Sequence, residues 1–146
     1  MPKTKVFLDS SVIITALLST SGGSFYILNR LHDDFIFQIN EYALAEIHEV
    51  IRKKFDGDAQ MQTQLFLLLG TAQVQILANP GARLVNMAAR RISQNDAPIL
   101  AAALQHSDYL LTLDNEFLQP SVVEMARKKS LIILKTKDFI EMLRPL

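Results

Sequence analysis

The chain has 146 residues, 49% of them hydrophobic, with 15 Lys and Arg against 15 Asp and Glu. This fits one domain over residues 1–146 with a real core, and it excludes two ordinary domains and intrinsic disorder. Zero net charge excludes a protein that grips nucleic acid with its whole surface, and zero cysteine excludes disulfides, thiolate zinc sites and a thiol nucleophile.

In chain order, Lys5–Leu8 is β-prone and reads as a first strand ending in Asp9. Ser10 and Ser11 offer caps for a helix over Val12–Leu18, and a Ser-Thr-Ser-Gly-Gly stretch at 19–23 separates it from a second helix over Ser24–Leu31. Phe35–Ile39 is a second strand. Asn40 then serves as N-cap for a helix running to about Phe55, with Glu41 in its first turn. A further helix covers Asp58–Leu69, where the Leu65–Leu69 run reads as core, with an exposed partner surface as the alternative. Val74–Leu77 is a third strand, closed by the turn Asn79-Pro80-Gly81. Ala82–Ile92 is helical, and Asn95-Asp96-Ala97-Pro98 opens the next helix with proline in its first turn. Tyr109–Leu113 is a fourth strand followed by Asp114. A helix over Val122–Lys129, a fifth strand over Leu131–Leu134 and a helix over Asp138–Leu143 complete the chain. The alternation predicts an α/β domain whose mainly parallel sheet is covered on both faces.

The longest apolar runs, Val12–Leu18 and Ala97–Leu104, fall short of the ~18 residues of a membrane span. The first residues carry no signal-peptide pattern, so the expectation is a soluble, cytoplasmic protein. His32, His48 and His106 show no ligand spacing, so any metal must be held by oxygen.

In an open parallel sheet, ligands bind beyond the carboxyl ends of the strands. Asp9 and Asp114 follow the first and fourth strands directly, and Asp96 lies at a helix start, where backbone N–H groups favour its charge. On the helix after Asn40, residues Ala43, Leu44, Ile47, Val50 and Ile51 form an apolar face, and Glu46 lies at its edge. Taken singly, each acid has an ordinary reading as turn former, cap or solvated residue. Gathered on one rim, they would repel one another and call for a hard cation such as Mg²⁺ or Mn²⁺. That combination suits metal-assisted phosphodiester hydrolysis.

Four segments carry a family resemblance. These are Val6-Phe-Leu-Asp-Ser-Ser-Val-Ile-Ile13, Tyr42-Ala-Leu-Ala-Glu-Ile-His-Glu-Val50, Asn95-Asp-Ala-Pro-Ile-Leu-Ala-Ala-Ala103 and Tyr109-Leu-Leu-Thr-Leu-Asp-Asn-Glu-Phe117. In this order and on these elements the chain resembles the PIN-domain family of metal-dependent nucleases. The resemblance implies a three-layer α/β/α sandwich around a five-stranded sheet and an acidic pocket for Mg²⁺ or Mn²⁺. It implies endoribonuclease activity on single-stranded RNA. Asp9, Glu46, Asp96 and Asp114 match the metal-binding acids, and Glu116 supplements or replaces Asp114. Ser11, its neighbour Ser10, and Thr112 match polar positions facing the pocket. Leu113 departs from the pattern, since a small polar residue is commoner there. Many relatives are toxins of toxin–antitoxin pairs, which implies an antitoxin partner and a homodimer.

Three basic clusters stand out: Arg52-Lys53-Lys54, Arg90-Arg91 and Arg127-Lys128-Lys129. Clusters of this kind on helices are ordinarily solvated faces, but Arg90 and Arg91 precede the Asp96 motif and would hold RNA phosphates. Setting the four acids aside leaves 15 basic residues in the chain against 11 acidic ones, a mildly basic surround for an acidic centre. The competing reading is a catalytically silent PIN-fold scaffold that binds RNA or metal without turnover. A receiver domain would need an Asp after the third strand, where Ala-Asn-Pro-Gly stands. A haloacid-dehalogenase-type phosphatase would need an Asp where Ser11 stands.

Overall fold

The apolar runs pair as the alternation predicts. The computed structural model describes residues 2–144 and holds one five-stranded sheet in the order β3-β2-β1-β4-β5. The strands are β1 (Thr4–Leu8), β2 (Phe35–Asn40), β3 (Gln75–Leu77), β4 (Tyr109–Leu111) and β5 (Ile132–Leu134), and every neighbouring pair is parallel. The helices are α1 (Ser10–Leu18), α2 (Gly23–Arg30), α3 (Glu41–Lys54), α4 (Ala59–Thr71), α5 (Ala82–Ala88), α6 (Ala97–His106), α7 (Pro120–Lys128) and α8 (Thr136–Leu143).

Strand order dictates the layers. The chain steps outward from β1 to β2 to β3, then returns to the other side of β1 for β4 and β5. Right-handed crossovers therefore lay α1–α4 on one face and α5–α7 on the other, the α/β/α sandwich expected. The direction of winding reverses between β1 and β4, and the crevice beyond their carboxyl ends is where such sheets bind ligands.

The inner strands are buried on both faces. Val6, Phe7, Leu8, Phe37, Ile39, Leu110 and Leu111 are fully enclosed, which explains their unbroken apolar runs. The edge strands β3 and β5 are short and leave Ile76 and Ile132 partly exposed. Helix α3 buries Ala43, Ile47 and Ile51, and Asn40 caps it by accepting the Ala43 N–H at 2.9 Å, as predicted. Truncating Ile47 to Ala costs roughly 2–5 kcal/mol at such a site.

Several boundaries differ from the sequence expectation. Helix α1 begins at Ser10, so Ser10 and Ser11 form its first turn and Asp9 is the N-cap residue. Helix α5 ends at Ala88 rather than Ile92. The amides of Arg90 and Arg91 turn back to the carbonyls of Met87 and Ala88, closing the helix in a tight last turn. Strand β4 ends at Leu111 rather than Leu113. The Leu113 and Asp114 amides are satisfied by the hydroxyls of Ser11 and Thr112 instead of a neighbouring strand. Asp114 thus lies in the turn after β4, not at the strand end. On α4 the run divides. Leu65 and Leu69 face the core, whereas Phe66 and Leu67 are each 64% exposed. Among the described residues no single helix is long and apolar enough to cross a membrane.

Candidate metal centre

The end of β1 delivers Asp9 into the crevice between β1 and β4, where it is 4% exposed. Its Oδ2 accepts two hydroxyl donors at 2.9 Å, Ser11 Oγ from α1 and Thr112 Oγ1 from the segment after β4. Each hydroxyl also accepts a backbone amide. Ser11 takes the Leu113 N–H at 3.2 Å and Thr112 takes the Asp114 N–H at 2.9 Å. One carboxylate oxygen therefore ties α1 to the turn that carries Asp114. The other, Oδ1, lies toward Ser10, whose hydroxyl stands 3.4 Å from it and 3.5 Å from Glu46 Oε1. Burial pushes the Asp9 carboxyl above its ordinary value, and the charge of Asp114 adds to the shift.

Asp96 is at the N-cap position of α6, yet its side chain makes no capping bond. A cap accepts from the second or third helical amide. Here the second residue is Pro98, which has no N–H, and the Ile99 amide bonds to the Asp96 carbonyl. The carboxylate makes no bond to its own helix and accepts the Ser93 hydroxyl at 3.3 Å. It meets Asp114 and Glu116, and one ligand oxygen from each of the three lies within 4.8 Å of the others.

Asp114 stabilises its own turn, accepting the Glu116 N–H at 2.9 Å through Oδ1. Glu116 Oε1 accepts the Ser93 N–H at 2.6 Å, joining the turn before α6 to the turn after β4. That backbone bond holds the Glu116 carboxyl below its ordinary value. Glu46 is half-buried on α3. Burial, reinforced by the charge of Asp9, pushes it up to about 7. Asp96 is also pushed up to about 7, first by burial and then by the charges of Asp114, Glu116 and Asp9.

Neighbouring carboxylate charge thus adds to the upward push that burial gives Asp9, Glu46 and Asp96. Among the described residues, none of these five acids forms an ion pair with Lys, Arg or His. A group of carboxylates with no internal cation, offering only oxygen, fits a hard divalent ion such as Mg²⁺ or Mn²⁺. Asp96, Asp114 and Glu116 would hold it; Asp9 and Glu46, linked to each other through Ser10, lie outside that 4.8 Å group.

Residues that the sequence reading left unassigned also build the site. Tyr42 lies one turn before Glu46 on α3 and donates its hydroxyl to the Asn95 carbonyl at 2.8 Å. Its own titration is raised by burial and by the charges of Glu46 and Asp96. The spacing of four between Tyr42 and Glu46 was the available signal, since such residues share a helix face. Asn40 donates to the Pro98 carbonyl at 3.2 Å while capping α3, so one buried amide fastens the helix of Glu46 to the helix of Asp96. Arg90 and Arg91 are exposed in the turn after α5, in a depression that also includes Ser93 and Glu116.

Comparison with known proteins agrees with this architecture. A solved structure of VapBC2 from Rickettsia felis, bound to a DNA fragment from their promoter, contains a chain matching this one with a TM-score of 0.69. The match covers 90% of this chain and 98% of that one at 18% identity. No curated protein matches the sequence. The family model described as PIN domain matches residues 6–122, which span all four acid-bearing segments. The chain belongs to the PIN-domain family.

Proposed function

We propose that the chain is a Mg²⁺- or Mn²⁺-dependent endoribonuclease that hydrolyses phosphodiester bonds of single-stranded RNA. The observation that supports this reading is the cluster of Asp96, Asp114 and Glu116, which Asp9 and Glu46 adjoin through Thr112 and Ser10, with no basic partner among the described residues. PIN domains are generally nucleases, and the family match supports the same class.

A divalent ion supplies two things to such chemistry when bound: activation of water, and neutralisation of charge on the phosphodiester oxygens. The chain's own residues do the positioning. Ser11 and Thr112 occupy Oδ2 of Asp9 and so orient Oδ1 toward Ser10 and Glu46. Pro98 keeps the Asp96 carboxylate from capping its own helix, and Ser93 joins the two carboxylate-bearing turns, donating its hydroxyl to Asp96 and its amide to Glu116. Glu46 reaches Asp9 through the Ser10 hydroxyl and so adds a further carboxylate beside the cluster. Arg90 and Arg91 line a depression that meets the cluster at Glu116, where they hold phosphates without reading bases.

We extend the reading to a cytoplasmic toxin of a toxin–antitoxin pair. The VapBC2 neighbour supports an antitoxin partner, and exposed Phe66 and Leu67 on α4 offer an apolar face for a protein. The homodimer rests on the family resemblance alone.

The deciding experiment incubates unstructured RNA with Mn²⁺ or Mg²⁺ and wild type, Asp9→Asn or Asp96→Asn. Expected is metal-dependent cleavage by the wild type, falling at least a hundredfold in both variants, on the order of one lost charge-stabilising group. Cleavage that survives both substitutions contradicts the mechanism. Mn²⁺ binding without any cleavage by the wild type favours the scaffold reading.

A further inference from the structure

The basic residues of the chain are not equivalent once their partners are known. On α3, Arg52 and Lys53 both pair with Glu49, and on α7 Lys128 pairs with Glu124. The other lysines and arginines have no acidic partner among the described residues, and of these Arg83, Arg90, Arg91 and Lys129 share one stretch of surface. All four are exposed, and they lie on connected ground.

Arg90 borders three adjoining depressions. The first contains Arg91, Ser93 and Glu116 and so opens on the acid cluster. The second contains Arg91, Leu104 and Lys129, and the third contains Arg83, Asn86 and Gln105. Met87 lies in both of the outer two, which makes their surfaces continuous. The result is a face of unpaired cations that begins at the acids and leads away from them. Its lining holds no aromatic side chain, so base stacking has no platform and phosphate binding is the available chemistry.

We propose that this face is the track for the flank of a single-stranded RNA leaving the acid pocket, with Lys129 and Arg83 as phosphate-binding residues beyond Arg90 and Arg91. The proposal rests on the nuclease reading above and adds where the strand runs. Because the cations meet phosphates, this flank contributes affinity with little base preference. The Arg52–Lys53 pair, which shares Glu49 on α3, lines none of these depressions and takes no part.

The test measures kcat and KM for Mn²⁺-dependent cleavage of a fluorescent single-stranded RNA across a salt series. The proteins are wild type, the double variant Arg83→Gln with Lys129→Gln, the charge-keeping pair Arg83→Lys with Lys129→Arg, and Arg52→Gln with Lys53→Gln. The glutamine pair at 83 and 129 is expected to raise KM several-fold with kcat nearly unchanged. Its log–log salt slope becomes shallower by about 0.7 for each phosphate that is no longer neutralised. The charge-keeping pair restores both quantities, and the pair on α3 changes neither. Intact cleavage with unchanged KM and slope in the glutamine pair overturns the track and leaves the nuclease reading standing. A loss of affinity for polyglutamate with no change for RNA assigns the face to an acidic protein and also overturns it. Absence of metal-dependent cleavage by the wild type overturns the nuclease reading and the track together.

Discussion

At Asp96 a helix start and the proline that follows compete for one carboxylate. An aspartate at an N-cap position ordinarily spends its side chain on the helix, worth about 1 kcal/mol. Pro98 removes the amide it would take, so helix stability is given up to leave the carboxylate facing Asp114 and Glu116. Pro98→Ala restores that amide. Expected are tighter folding without metal and weaker Mn²⁺ binding, read by urea denaturation and by titration calorimetry; unchanged Mn²⁺ affinity contradicts the role given to the proline. Thr112 makes a parallel case at Asp9. Thr112→Val deletes one donor to Oδ2 and leaves the Asp114 amide without its hydroxyl acceptor. A loss of roughly 1–3 kcal/mol in urea unfolding follows from a buried unmet group, and Thr112→Ser should restore most of it. The candidate acids stood out in the sequence. The bonds that orient them were not, because Thr112 and Asp9 are 103 positions apart.

Among the elements, α3 shows best how a local signal acquires a distant consequence. Asn40 reads as a cap from sequence, and it is one, but its Nδ2 also reaches the Pro98 carbonyl on α6. Asn40→Ala is expected to cost about 1–2 kcal/mol of stability, above an ordinary exposed cap, and to weaken Mn²⁺ binding, since Glu46 and Asp96 lose their common anchor. Asn40→Asp keeps the cap and drops the donor, so it should retain most of the stability but not the metal affinity. Strand and helix alternation was readable throughout because apolar runs and turn signals agree. The end of α5 was not. Residues 82–92 hold neither Gly nor Pro, so nothing local announces that the helix closes at Ala88 and turns Arg90 and Arg91 toward Glu116. The end of β4 was equally hidden, set by hydroxyls of α1 and of the turn itself.

For the molecule as a whole, the neutral total charge conceals an acidic centre within a basic surround. That arrangement makes metal-free stability depend on pH in a defined direction. Glu46 and Asp96 ordinarily titrate at 4.5 and 3.8, and in the fold both are pushed to about 7. Between those values the folded chain retains protons that the unfolded chain has lost, so stability falls as pH rises from about 4 to 7. Thermal melts in EDTA should show this decline, Mn²⁺ should offset it above pH 7, and Asp96→Asn should flatten it. A metal-free melting temperature that rises steadily across that window contradicts the clustering of the acids. The most direct measurement of all is anomalous X-ray scattering from crystals grown with Mn²⁺. The expected result is a peak beside the carboxylates of Asp96, Asp114 and Glu116. Crystals saturated with Mn²⁺ that show no peak in this crevice would contradict the metal centre and the nuclease built on it.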